Sequence, residues 1–488
     1  MRNGTKLEWT VGLLALAIAA GCDGDSGTDA GMTGGDAGMT ETDGGPTGTD
    51  AGTDAATASN TIVDVAVGNP DFSLLVAAVT RAGLVETLSG AGPFTVFAPN
   101  DAAFAASGIT RAMVDAMPIA DLAQILTYHV IAARVPSSAV AAGPVDTVAD
   151  LSLIVGTTGG VTLNGGNAVT GGANVIAVDV AASNGVIHVI DRVLLPPTVA
   201  DLARYAGLTT LFDAVVAAEL AEALSGAGPF TVFAPVNEAF PATAPPNLAQ
   251  ILLYHVVSGR VPSTAVPARA PALATVEYSS SGTTRAVPLT LLFDTTSGVR
   301  INGGSGTGAG NLGANVVVAD VKGTNGVVHV IDRVLLPLSI AQVAIAGGFT
   351  SLVAAVTASD PIPASLAGAE TPVLDALSAP TLAPLTVFAP TDAAFGAAFP
   401  GGLPSDGGAI LGVLALHVLA LPLPVRAADI PSTPVAPLAG SNLAFDTTAT
   451  PPTVRVTGGG TTAGVVVTDI GATNGIVHVI DGVLLEGP

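Results

Sequence analysis

Apolar and polar positions along this chain run through one pattern three times, in repeats of about 140 residues with the same internal order. Each repeat opens on a hydroxyl residue with an acid or amide three positions on: Thr61 and Asp64, Thr198 and Asp201, Ser339 and Gln342. At that spacing the hydroxyl accepts from the third helical amide while the acid or amide reaches back, so three helix starts are predicted. Apolar stretches over Phe72 to Leu84, Leu208 to Leu224 and Thr350 to Val356 predict a second helix in each repeat. PFTVFAP at Pro93 to Pro99 and Pro229 to Pro235, and PLTVFAP at Pro384 to Pro390, then supply a buried strand stopped by proline. Asn100-Asp101 and Thr391-Asp392 cap a further helix, whereas repeat two has Val236 in the capping place and Asn237 one residue later.

The next helix carries the sharpest periodicity. Leu122, Ile125, Leu126 and His129 stand at i, i+3, i+4 and i+7, as do Leu248, Ile251, Leu252 and His255, and again Ile410, Val413, Leu414 and His417. One helix face holds all four, so each histidine faces the core near the helix C-terminus, where it can donate to a free carbonyl. Tyr128 and Tyr254 fall about 160 to 200° from Leu126 and Leu252 on the wheel, which points them outward and makes them replaceable by alanine without loss of stability. A strand-rich half closes each repeat. In repeat one Leu151 to Val155, Val161 to Leu163 and Val175 to Val180 are apolar runs, and Asn184-Gly185 leads into Val186 to Ile190. Asn-Gly here, at Asn325-Gly326 and at Asn474-Gly475 predicts a two-residue hairpin with two positive φ angles. Few residues separate Leu195 from Thr198 or Leu336 from Ser339, so neighbouring repeats should abut.

Composition adds the context of the repeats. The 488 residues carry a formal net charge of -23 with 15 Lys and Arg in all, which excludes the basic patch that nucleic acid needs. Cys22 is the only cysteine, so no intrachain disulfide and no thiolate zinc site can form. Arg2 and Lys6, the apolar run Val11 to Ala20 and the small residues Ala19-Ala20-Gly21 before Cys22 read as an export signal, residues 1–21. Ten apolar residues are too few to span a bilayer. Residues 22–60 are built almost wholly from Gly, Thr, Ala and Asp, with eight acidic and no basic residues between Asp23 and Asp54. Such a segment buries nothing and repels itself, a tether reaching roughly 30 to 35 Å on average. Asp23, Asp25 and Asp29 miss the spacing of a calcium loop. A Pro- and Ala-rich insertion, about Ser359 to Pro372, reads as a surface loop.

Six histidines, two per repeat, invite a metal or a catalytic dyad. On a strand His188 and Asp191 project from opposite faces, as do His329 with Asp332 and His478 with Asp481, so none of these pairs can chelate. His129 and His188 could meet in space, but two ligands make a weak metal site. The aspartates are expected on nearby backbone amides. Ser89, Ser225 and Ser378 precede the PFTVFAP-type block without a nucleophile elbow, the first two in stretches that read as turns. No catalytic residue, metal or cofactor is expected.

TVFAP followed by a helix, Tyr-His at a helix end, and NGxxHVID with VLLP at the close resemble the fasciclin-like domain, and the cysteine at the end of the signal resembles a bacterial lipoprotein lipobox. The second resemblance implies removal of residues 1–21 and lipidation of Cys22. The first implies an α+β fold of three tandem domains, 61–196, 197–337 and 338–486, each a β-wedge or sandwich flanked by helices. It also implies extracellular adhesion through a surface protein, matrix or polysaccharide partner, with no characteristic enzyme activity; the alternative is a periplasmic or secreted binder of polysaccharide or a small apolar ligand. The family's Tyr-His region is associated with receptor contact, which carries onto Tyr128-His129 and Tyr254-His255. The third copy departs from it with Leu416-His417.

Overall fold

The computed structural model describes residues 60–487 apart from 167–170, 244, 246, 305–312, 360, 362–372, 379–383 and 451. The expected signal, tether and Cys22, and nearly all of the insertion after Ser359, lie outside the described residues. Residues 57–488 group as one compact unit.

All three expected capping boxes form, starting the helices Ile62–Val67, Val199–Tyr205 and Ile340–Ala346. The second helix is shorter than the apolar stretch in repeats one and two. It runs Ser73–Arg81 and Thr209–Ala217, then breaks at Gly83 (φ 70°) and Glu219 (φ 58°) before a one-turn helix ending at Ser89 or Ser225. Those serines therefore end helices rather than sit in the turn itself. Asn100 and Thr391 cap Asp101–Ala106 and Asp392–Ala398 as expected. In repeat two only a 3-10 turn, Asn237–Ala239, survives the loss of that cap. Asn237 bridges the amide of Thr210 and the carbonyl of Gly207 instead.

The PFTVFAP block is the inner strand of each sheet. Phe94–Pro99 pairs in parallel with Gly185–Ile190 and antiparallel with Val130–Ile131. Beyond Gly185–Ile190 the sheet continues through Ala173–Ala182, Thr162–Leu163, Ser152–Gly156 and Gly143–Asp146, all antiparallel. Repeat two follows the same order but closes into a barrel, because its long strand Arg269–Ser280 also pairs Ala272 with Val257. Repeat three has six strands in the corresponding order.

The Asn-Gly turns are built differently from the expectation. The two turn residues are Ser183 and Asn184, with Ala182 opposite Gly185, and Gly185 already belongs to the strand in an ordinary extended conformation. A Cβ on Gly185 would lie 2.1 Å from the carbonyl oxygen of Phe94, so close strand approach demands glycine. Asn184 is a staple: its Oδ1 accepts from Ile62 N, and its Nδ2 donates to the carbonyls of Leu88 and Gly90. Asn325 and Gly326 repeat the arrangement. The two-residue turn with both φ positive occurs instead at Ser281-Gly282 (50° and 81°), joining Arg269–Ser280 to Thr283–Asp294.

Every repeat encloses two cores, one between helices and sheet and one inside the strand-rich half. In repeat one the first gathers Phe72, Val96, Leu122, Leu126 and Ile187, and the second gathers Phe97, Tyr128, Leu153, Leu163 and Ile190. Both consist of this repeat's own residues.

Candidate functional site

The helix Ile119–Tyr128 ends where the two cores meet, and this decides the fate of the Tyr-His pair. His129 caps the helix and is buried, as expected. Its Nδ1–H donates to the carbonyl of Ile125 at 2.7 Å and its Nε2 accepts from the amide of Leu194 at 3.0 Å, which fixes one neutral tautomer. His255 does the same with Ile251 and Leu335, and His417 with Val413 and Leu484. Burial lowers the pKa of all three imidazoles to about 4.

Tyr128 and Tyr254 are not outward residues. Both are 0% exposed. The wheel angle away from Leu126 is right, but what lies on that side is the second core rather than water. The Tyr128 hydroxyl donates to the carbonyl of Ser152 at 3.1 Å and accepts from Asn164 Nδ2 at 3.0 Å. The Tyr254 hydroxyl meets Thr290 at 2.9 Å and Asn302 Nδ2 at 3.0 Å. Burial raises both phenol pKa values well above the usual range. Asn164 and Asn302 hold φ near 50°, a left-handed conformation that asparagine tolerates, and their Oδ1 atoms accept from Ile154 N and Leu292 N.

The strand histidines face the other way round. His188 Nε2–H donates to the carbonyl of Val135, and its Nδ1 accepts from the amide of Asp179, a bulge residue at φ 59°. His329 and His478 repeat this with Val261 and Asp320, and with Val425 and Asp469. Asp191, Asp332 and Asp481 accept from the amides of Asn174, Asn315 and Gly464, as expected. All twelve imidazole nitrogens thus hydrogen-bond to backbone. Among the described residues no three His, Cys, Asp or Glu side chains are grouped to hold a metal ion, and no helix is long and apolar enough to cross a membrane.

Residues that the sequence reading missed hold the repeats together. Ser152, whose carbonyl Tyr128 fixes, accepts the amide of Lys322 in repeat two on its Oγ at 2.9 Å. Thr290, fixed by Tyr254, accepts the amide of Gly471 in repeat three on its Oγ1 at 3.0 Å. Two residues further on, Ile154 joins the core of repeat two beside Val321, and Leu292 packs on the core of repeat three beside Ile470. Ion pairs complete each junction: Lys322 with Asp146 (2.9 Å) and Asp150 (2.7 Å), and Arg285 with Asp429 (3.2 Å). The long hairpin of repeat two adds Tyr278, whose hydroxyl donates to the carbonyl of Thr473 at 3.2 Å. One sequence signal was available: a second Asn-Gly, at Asn164-Gly165 and Asn302-Gly303, has Thr457-Gly458 as its counterpart in the one repeat that also replaces Tyr with Leu416.

A fasciclin domain model matches residues 70–196, 206–337 and 348–486. The chain belongs to the fasciclin domain family. Among curated fasciclin relatives, Protein sll1483 of Synechocystis is 46% identical over 29% of this chain and 77% of its own length. Human periostin is 32% identical over 37% of this chain and only 21% of its own length. The immunogenic protein MPB70 of Mycobacterium bovis is 31% identical over 29% of this chain and 71% of its own. Among solved structures, a FAS1 domain pair from the insect cell adhesion molecule Fasciclin I matches at 21% identity and a TM-score of 0.31, covering 56% of this chain and 95% of that one. The tandem α+β architecture expected from the sequence is the one observed.

Proposed function

We propose that this chain is a non-catalytic adhesion or binding module, exported and held to the bacterial envelope by a lipid on Cys22. Three fasciclin domains present their surfaces to a protein, matrix or polysaccharide partner. The observation that carries this reading is the engagement of every imidazole nitrogen with backbone: a general base or metal ligand would first have to break the loops it ties. Membership of the fasciclin domain family supports the same reading. Tyr128, His129, Tyr254 and His255 act in it as supports for the presented surface, not as contacts. The test is binding of the purified exported chain to whole cells and matrix compared with a glycan array. Failure on both would refute it. Replacing Cys22 with Ser should move the protein out of the membrane fraction.

A small apolar ligand is the second reading, favoured by one cavity. Between the first two helices and the sheet, repeat one holds an apolar space of about 150 Å³ lined by Ile62, Val76, Val79, Leu88 and Leu126, with His129 at its wall. The corresponding space in repeat two is about 30 Å³, where Phe212 stands in the place of Val76. A dry apolar cavity of the larger size accepts a benzene-sized molecule. Binding of an apolar fluorescent dye that Val76→Phe abolishes would support this reading, and no binding would remove it.

A further inference from the structure

The two junctions use one face of the downstream repeat, and repeat one has the same face uncovered. Counting from the capping hydroxyl, Leu202 and Val343 on the first helix are buried (1% and 0%), whereas Val65 in the same place is half-buried. On the bulged strand Val321 and Ile470 are each 3% exposed, whereas their counterpart Val180 is 37% exposed. Ala181, in the place of the amides that Ser152 and Thr290 capture, is exposed. Ile176 does not belong to this footprint, since Val317 and Val466 in its place stay exposed after docking.

The opposite end of the chain is finished differently. The carbonyl that accepts the amide of Asn164 or Asn302 belongs to Ile154 or Leu292, the aliphatic residue of each docking edge. In repeat three Phe445 packs on Phe388 as Phe293 packs on Phe233, so Asn442 stands in the place of Ser152 and Thr290, and Ala444 in the place of Ile154 and Leu292. Glu486 closes that end by accepting from Ser441 N. The edge of repeat three therefore presents an amide and a single methyl group where the two internal junctions use a hydroxyl and a larger aliphatic side chain.

We propose that the Val65, Val180 and Ala181 face of repeat one docks the edge of a fasciclin-type domain from another polypeptide, one that carries Ser or Thr with an aliphatic residue two positions on. The size of Ala181 narrows the edge further. A Cβ on Gly471 would lie 1.9 Å from the carbonyl oxygen of Pro288, so an edge shaped like that of repeat two accepts only glycine. Lys322 has a Cβ and fits the edge of repeat one. The edge that suits Ala181 is thus of the repeat-one kind, Ser152 with Ile154, and the binding of purified chains reads this independently of any adhesion.

The probe is a fragment of residues 60–196 carrying Val180→Asp, which keeps both cores of repeat one and a free edge but spoils its own docking face so that it cannot bind itself. Analytical ultracentrifugation should show it binding the full chain one to one, while the full chain alone stays monomeric. Val180→Asp in the full chain should abolish binding. Ala181→Lys, which places an ammonium opposite Asp146 and Asp150 of the fragment, should tighten it about threefold or more. A four-repeat chain with 60–196 duplicated in tandem tests the same contact if the fragment fails to fold: hydrogen exchange at the inner Ala181 amide should slow at least tenfold relative to the native chain. No binding by either the native or the Ala181→Lys chain, or unchanged exchange in the four-repeat chain, overturns the proposal.

Discussion

Replacing Tyr128 with Phe removes a single oxygen from a side chain with no solvent exposure, and the structure says what is stranded. The carbonyl of Ser152 loses its donor at 3.1 Å and Asn164 Nδ2 loses its acceptor at 3.0 Å. The ring remains, so no cavity forms. Each buried group left unsatisfied costs about 1–3 kcal/mol, which puts the variant about 2–6 kcal/mol below the native repeat. With a urea slope of about 2 kcal/mol per molar, the transition of repeat one should shift down by about 1–3 M. Hydrogen exchange at the Ile154 amide, which donates to Asn164 Oδ1, should quicken in step. A Tyr128→Phe midpoint within about 0.3 M of native would refute the reasoning.

The histidines set an acid limit. Burial lowers the folded pKa of His129, His255 and His417 to about 4 from the ordinary imidazole value of 6.5, so the unfolded chain takes the proton first. Their stabilisation is whole above pH 6.5 and falls by about 1.4 kcal/mol per pH unit per histidine as pH drops toward 4; flat urea midpoints between pH 7 and 4.5 would contradict this. Gly326→Ala puts a Cβ 2.2 Å from the carbonyl oxygen of Phe230 and should lower the melting temperature of repeat two by more than 10 °C, read by calorimetry. Thr290→Val leaves the Gly471 amide without its acceptor, so spin labels on repeats two and three should show a broadened distance distribution while each repeat keeps its secondary structure. An unchanged distribution would mean the hydroxyl does not hold that junction.

How much of this was legible depended on whether a signal was local. Three capping boxes, the inner strands and the core-facing histidines follow from spacings of three to seven residues, and all were read correctly. The tyrosines were misplaced because a helical wheel gives an angle and not what stands there. Their hidden side is created by strands 24 to 36 residues later in sequence. Asn184 and Gly185 were read as a turn dipeptide, whereas their partners are Ile62, Leu88, Gly90 and Phe94, about a hundred residues away and beyond any local rule. The junction residues Ser152, Thr290 and Arg285 have ordinary local surroundings. Only comparing the repeats, two with Tyr and Asn-Gly and one with Leu and Thr-Gly, would have singled out their neighbourhood.

That the chain works by contact and not by chemistry is tested most directly on living cells. Cells carrying the native chain are compared, in a detachment assay under flow, with cells whose repeat one is replaced by an inert spacer of equal length. The account predicts firm attachment by the first and a clear loss by the second at equal surface amounts. Equal attachment by both would contradict it.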